Sequence, residues 1–198
     1  MTDAVETAKA LLAQGRAEEA LTHLEPITAR ADASYLALAY HADALKRLGR
    51  LDDAAEQAAR ALEVQPNSVS ARHNLASLYG DLDRKVESES LARSALAVGD
   101  APETWLVLGR ALQGQNRFDE AEQAYRAAVG RRANYADAHA ELAQLIWMRT
   151  ADAVQALEAL DPDAVLALGG EAAVPDALLQ AAAVGRETGR LSGPDRQA

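Results

Sequence analysis

The chain has no cysteine and few aromatic residues. Without cysteine it forms neither disulfides nor thiolate metal sites. Aromatic residues are 4% of its 198 residues, and there is a single phenylalanine. Strand-forming residues are too scattered to predict a sheet. Alanine, the strongest helix former, and leucine supply most of the 49% apolar content, so the composition predicts a protein that is almost entirely helical.

Positive charge is also scarce. The chain has 30 acidic residues against 20 basic ones, a formal net charge of −10, which argues against binding to nucleic acid or to an anionic membrane surface. The start of the chain lacks the features of a secretion signal, and no apolar run approaches the ~20 residues that cross a bilayer. We therefore expect a cytoplasmic protein, and the near absence of lysine indicates a bacterial, GC-rich genome.

What the chain does have is a repeat of about 34 residues. Gly15 and Gly49 stand in similar settings, AQGRAEEAL and RLGRLDDAA, and an alanine follows each of them after the same interval, at Ala20 and Ala54. The pattern returns around Ala121 in GQNRFDEAEQAY. Each unit holds two amphipathic helical patterns separated by a turn. Because such a unit cannot bury its apolar face alone, the sequence predicts stacked helix pairs.

The repeat predicts how the chain is organised. We expect four to five units within 1–161, and then, within 162–198, one further helix at about 175–189 and a flexible tail. The predicted units span 1–34, 35–68, 69–101, 102–135 and 136–161.

Turn and cap residues fall between the predicted helices. Gly15 and Gly49 stand where a first helix ends in a left-handed or tight turn, and Asp83 takes the place of that glycine in the third unit. Ser68 is a cap candidate for the helix that follows it. Within the second helix of the first unit, Pro26 predicts a kink or a shortened helix.

A capping-box spacing marks the boundary between the third and fourth units. Asp100 and Glu103 are three residues apart, as the cap and its partner are in that motif. The spacing predicts that the next helix begins just after Asp100.

Small residues recur where the two helices of a unit would cross, at positions 8 and 20 of the repeat. Together with the large residues around them they resemble the tetratricopeptide repeat family. The fourth unit matches best, with Trp105, Leu108, Gly109, Leu112, Ala121, Tyr125 and Ala128 on that family's positions 4, 7, 8, 11, 20, 24 and 27. The resemblance covers about 1–160. It implies an all-α solenoid, a right-handed superhelix of antiparallel helix pairs, that binds a peptide or protein partner in a concave groove without catalysis.

In that family, positions 2, 5, 9 and 12 of the first helices point into the groove. Carried over, they give the partner-binding residues Lys9, Leu12, Asp43, Lys46, His73, Ser77, Leu106, Arg110, Gln113, Gln144 and Trp147.

One binding mode known in the family is missing here. A carboxylate clamp requires lysine and asparagine at positions 5 and 9 before an asparagine at position 6 of the next unit. Asn74 provides the asparagine at position 6, but Ala39 and Asp43 stand where the clamp requires lysine and asparagine. Lys46 and Arg110, with Lys9, remain candidate anchors for an acidic or phosphorylated segment, and solvated surface charge is the alternative.

No motif predicts catalysis, a cofactor or a metal site. Phosphate loops, GxSxG and HExxH are absent. His41 and Asp43 match the spacing of two ligands in a facial iron triad, but neighbours on one helix cannot converge on a metal. Two alternatives stay open. One is that the chain is the N-terminal helical module of a larger enzyme, such as a 2-oxoglutarate- and Fe(II)-dependent oxygenase. The other is self-association as a homodimer through the C-terminal helix.

Overall fold

The computed structural model describes residues 2–150, with side chains from residue 4 onward. This range contains nine α-helices and no strand, with α1 to α8 forming four consecutive pairs, each joined by a short turn, and α9 following them. The helices are α1 (Thr2–Ala13), α2 (Ala17–Thr28), α3 (Tyr35–Arg47), α4 (Leu51–Val64), α5 (Val69–Asp81), α6 (Lys85–Leu96), α7 (Pro102–Gly114), α8 (Phe118–Arg131) and α9 (Ala136–Thr150). The predicted all-α helical repeat fold is confirmed.

The helices form two compact units, one that ends at Asp100 and one that begins at Ala101. In the first unit each of the helices α1 to α6 packs on the next, and α1 also contacts α3. In the second unit α7 packs on α8, and α8 packs on α9. The four complete helix pairs lie inside the predicted spans 1–34, 35–68, 69–101 and 102–135. The second helix of the predicted fifth repeat, the helix at 175–189 and the tail of 162–198 lie outside the described residues.

One left-handed residue ends the first helix of every complete pair. These residues are Gly15 (φ 76°), Gly49 (φ 75°), Asp83 (φ 60°) and Asn116 (φ 61°). The next residue then donates its N–H to a carbonyl of the last helical turn, as from Arg50 N to Leu45 O at 2.9 Å. This pattern is a Schellman cap. Aspartate and asparagine replace glycine here because they tolerate the left-handed conformation better than other side chains.

An arginine follows each left-handed residue and stands at the N-cap of the second helix, without a side-chain cap bond. Its guanidinium instead pairs with the acid three residues later. The pairs are Arg16–Glu19, Arg50–Asp53, Arg84–Glu87 and Arg117–Glu120. The acids of the first turn also favour the helix dipole. The same exposed arginine–acid pair therefore recurs at the turn of every complete helix pair.

Small residues let the two helices of a pair approach closely. Positions 8 and 20 of the repeat are buried in all four pairs. In the third pair Ser88 Oγ donates to the backbone oxygen of Ala76, at 2.7 Å, so the two positions are hydrogen-bonded directly. In the fourth pair the ring of Tyr125, which is fully buried, lies over Gly109.

The helix caps confirm one prediction and correct another. Ser68 caps α5, accepting a hydrogen bond from Ala71 N at 3.1 Å. Asp100 does not cap α7, because that helix begins at Pro102 with Ala101 as its N-cap. Proline is favoured at the first helical position, since its fixed φ suits the helix and its missing N–H needs no partner there. The start of α7 is thus one residue later than a cap at Asp100 requires.

Pro26 does not end its helix. The helix α2 continues to Thr28, which donates its hydroxyl to Leu24 O at 2.9 Å. At 12 residues α2 is as long as α6 and two residues shorter than α4 and α8, which have 14 each. Pro26 therefore lies inside a helix that continues for two further residues, and the kink or shortening expected there stays a prediction.

Candidate functional site

The first helices of the pairs carry the residues predicted to bind a partner. In the first unit, α3 and α5 enclose an open groove of about 380 Å³. It is lined by Ala39, Tyr40, Ala42, Asp43, Lys46, His73, Asn74, Ser77 and Leu78. We call this the α3–α5 groove. Four of the predicted residues therefore lie together here, namely Asp43, Lys46, His73 and Ser77.

Lys46 connects the two walls of the α3–α5 groove. Its ammonium lies 2.8 Å from Asp81 Oδ2 and donates to Ser77 Oγ at 3.0 Å, both on α5. The side chains of Lys46 and Asp81 are 40% and 42% exposed, so the pair stands at the surface. The ammonium is thus already engaged by a carboxylate.

The other charges on this face are also balanced. Asp43 and Arg47 pair along α3 at 3.0 Å, and Arg47 Nη1 donates to Leu12 O at 2.7 Å, which ties α3 to the end of α1. On α1, Lys9 lies 3.6 Å from Glu6. The face formed by α1, α3 and α5 therefore pairs each of these cations with an acid, although the whole chain is strongly acidic.

The second unit repeats this arrangement on its own first helices. Arg110 on α7 pairs with Glu141 on α9, with Nε 2.7 Å from Oε1. Gln113 accepts a hydrogen bond from the Tyr125 hydroxyl at 2.7 Å, and burial raises the pKa of Tyr125 far above its ordinary value. Gln144 is exposed and Trp147 is half-buried on α9.

Two of the predicted binding residues lie in the core. Leu12 and Leu106 are each 3% exposed and have almost no surface to offer a partner. Leu12 belongs to the apolar cluster that holds the first unit together. The family's groove positions thus include core residues in this chain, and we leave these two out of the proposed site.

Four residues on these faces stand outside positions 2, 5, 9 and 12 of the repeat and were therefore not predicted. Tyr40 and Asn74 both stand at position 6 of their repeats and line the α3–α5 groove. Asp81 and Glu141 are the partners of Lys46 and Arg110. Glu141 also stands at position 6 of its repeat, so the recurrence of a polar residue there was a usable signal for Tyr40, Asn74 and Glu141. No sequence signal identified Asp81, because its pairing with Lys46 depends on how the neighbouring helix lies.

His41, which shares the spacing of an iron triad, has a structural role. Its Nδ1 lies 2.7 Å from Thr28 Oγ1, between α2 and α3, and the residue is 8% exposed. Within residues 4–150 no three His, Asp or Glu side chains gather as metal ligands would. None of the helices α1 to α9 has the length and apolar character needed to span a bilayer.

A repeat of paired helices with small residues where the two helices cross defines the class of protein. Models of the tetratricopeptide repeat match residues 35–78 and 102–145, and a further model of it matches 68–99. The matches cover more than half of the chain, which belongs to the tetratricopeptide repeat family. Repeats of this family form protein-interaction modules. The comparison with curated proteins gives no match.

Solved structures share this fold over most of their length. PilF of Pseudomonas aeruginosa superposes with a TM-score of 0.78 at 17% identity, covering 95% of this chain and 85% of that one. A thermophilic tetratricopeptide repeat protein of Thermus thermophilus, TTC0263, superposes with a TM-score of 0.74 at 19% identity. The match covers 91% of this chain and 98% of that one. MamA of Desulfovibrio magneticus superposes with a TM-score of 0.69 at 19% identity, covering 80% of this chain and 89% of that one. These similarities show the fold.

Proposed function

We propose that this chain binds a segment of a partner protein in the α3–α5 groove, without catalysis. The observation that carries the proposal is the open groove of about 380 Å³, which gathers four residues predicted for binding. Groove residues held on packed helices need little reordering when a partner binds, which limits the entropic cost of association.

The chemistry of the groove suits a polypeptide. Ala39, Ala42 and Leu78 supply small apolar contacts, and Tyr40 and Asn74 supply polar groups beside them. Among residues 4–150 neither Tyr40 nor Asn74 makes a side-chain hydrogen bond, so both are open to a ligand. An asparagine amide both donates and accepts, which matches the N–H and C=O groups that an extended segment presents.

A selection of random short peptides displayed on phage tests the proposal. The enriched peptides are synthesised and titrated against the full chain and two variants. Asn74→Trp places a large ring in the α3–α5 groove at an exposed position. Ser90→Trp is the matched control, because Ser90 is exposed on α6 and lies outside the groove lining.

We expect Asn74→Trp to weaken peptide binding at least about tenfold, which corresponds to 1.4 kcal/mol, and Ser90→Trp to leave it unchanged. Circular dichroism and thermal unfolding must show both variants folded. If no enriched peptide distinguishes the two variants, the groove is not the binding site and the proposal is wrong.

The remaining predictions stand as hypotheses. Self-association through the helix at 175–189 concerns residues outside the described range. Membership in a larger oxygenase concerns sequence beyond this chain. The bacterial source, the cytoplasmic location and the absence of a nucleic-acid partner rest on composition alone.

A further inference from the structure

We propose that Asp81 sets the specificity of the α3–α5 groove by neutralising Lys46, so that the groove selects uncharged segments and rejects acidic ones. The inference rests on the proposed function of the groove and adds the chemical class of its ligand. It reverses the expectation that Lys46 anchors an acidic or phosphorylated segment.

The geometry around Lys46 carries the inference. The Lys46 ammonium is shared between the Asp81 carboxylate at 2.8 Å and the Ser77 hydroxyl at 3.0 Å. A partner carboxylate that approached Lys46 would therefore meet Asp81 as well. Two like charges at about 4 Å repel by about 1 kcal/mol even in bulk water, and by more near a protein surface. This repulsion opposes the attraction to Lys46.

The second unit contains a similar ion pair between two first helices. Arg110, the other predicted basic anchor, faces Glu141 on the next first helix at 2.7 Å. Glu141 is only 22% exposed, and so its charge is less screened than that of Asp81. In both units the cation on one first helix is matched by an acid on the following one.

The charge balance of the groove fixes the kind of occupant. Asp43 pairs with Arg47, and Lys46 pairs with Asp81, so the four charges on the two walls cancel. What remains is the apolar lining, the imidazole of His73 and the open polar groups of Tyr40 and Asn74. The complementary ligand is an extended segment of a partner protein that carries small apolar and uncharged polar side chains.

The test compares the peptides selected by three forms of the full chain from one random displayed library. They are the unmodified chain, Asp81→Asn, which leaves the charge of Lys46 uncompensated, and Asp52→Asn. The last variant is the matched control, because it removes the same charge from an exposed site on α4. Selected peptides are counted only if Asn74→Trp abolishes their binding.

We expect the unmodified chain and Asp52→Asn to enrich peptides without acidic residues. Their affinity should change by less than about twofold as ionic strength rises from about 0.01 M to about 0.15 M, where the Debye length falls from about 30 Å to about 8 Å. Asp81→Asn should raise the recovery of acidic peptides about fivefold, and lower salt should strengthen their binding.

Acidic peptides enriched by the unmodified chain would overturn this inference while leaving the proposed function intact. The same holds if Asp81→Asn selects the same peptides as Asp52→Asn. If no peptide depends on Asn74, the proposed function fails, and the inference fails with it.

Discussion

The ring of Tyr125 occupies the space where a side chain at Gly109 would stand. A Cβ built on Gly109 would lie 2.5 Å from Tyr125 Cδ1 and 3.0 Å from Cζ. Tyr125 is fully buried, and its hydroxyl donates to Gln113, so the ring cannot easily turn aside. The contact fixes how closely α7 and α8 approach.

Gly109→Ala is therefore expected to destabilise the second unit by about 1–3 kcal/mol, the range for overpacking a well-packed core. Urea unfolding followed by circular dichroism measures the change. Gly130→Ala is the control, because a Cβ there meets nothing within 4 Å and alanine favours the helix. Equal stability of the two variants would show that the contact does not limit the packing.

The turn glycines give a second prediction. Gly49 has φ 75°, and an added Cβ would meet nothing within 4 Å, so any cost of substitution arises from the backbone alone. Gly49→Ala should lower the free energy of unfolding by about 1–2 kcal/mol. Gly49→Asn should cost less, because asparagine occupies the equivalent position at Asn116. Equal losses for the two substitutions would argue against a left-handed turn.

Local features of this fold and the crossing of the two helices within a pair were predictable, whereas side-chain pairs between different repeats were not. The left-handed turn at Gly15 and Gly49, and its aspartate replacement at Asp83, follow from the repeat because each turn depends on its own residues. The pairing of Lys46 with Asp81 depends on how α3 and α5 lie side by side.

The groove positions show the same limit. Leu12 and Lys46 stand at the same repeat position, yet one is buried and the other is exposed. The difference arises from the residue type and from the helices that pack around each position. Positions taken from a family therefore indicate the face proposed to bind a partner, but not the exposure of each side chain on it.

We expect His41 to make the stability of the first unit depend on pH. Thr28 donates its hydroxyl to Leu24 O and therefore accepts a hydrogen bond from His41 Nδ1. With the Thr28 hydroxyl directed at Leu24 O, the matching tautomer of His41 carries its proton on Nδ1.

Burial lowers the pKa of His41 below its ordinary 6.5. Arg50 and Arg60 act in the same direction, and Glu25 and Asp53 act against it. Below pH 6.5 the unfolded chain therefore binds more protons at this residue than the folded chain does, so stability decreases as the pH falls. The decrease ends once the folded His41 is itself protonated.

Urea midpoints measured between neutral and mildly acidic pH test this dependence. His41→Gln should flatten the curve around pH 6.5, and His23→Gln, at an exposed position on α2, should leave it unchanged. A curve that His41→Gln does not alter would assign the pH dependence to other groups.

Arg72 on α5 has a buried Nη1 with no hydrogen-bond partner among residues 4–150. An unsatisfied buried donor costs about 1–3 kcal/mol. Arg72→Met keeps most of the side-chain volume and removes the donor, so we expect stability to be unchanged or higher. Arg93→Met, which removes an arginine exposed on α6, should cost no more than about 1 kcal/mol. If Arg72→Met lowers the free energy of unfolding by more than about 1 kcal/mol, the Arg72 guanidinium has hydrogen-bond partners in solution.

The two ion pairs between first helices should differ in strength. In a double-mutant cycle with Lys46→Met and Asp81→Asn, we expect a coupling of about 0.2–1 kcal/mol, because both side chains are about two-fifths exposed. The cycle with Arg110→Met and Glu141→Gln should give a larger value, since Glu141 is 22% exposed and salt screens buried charges less. Salt should therefore reduce the first coupling more than the second. The reverse order would mean that exposure does not control these pairs, and that the Lys46–Asp81 pair holds α3 and α5 together more strongly than a surface contact.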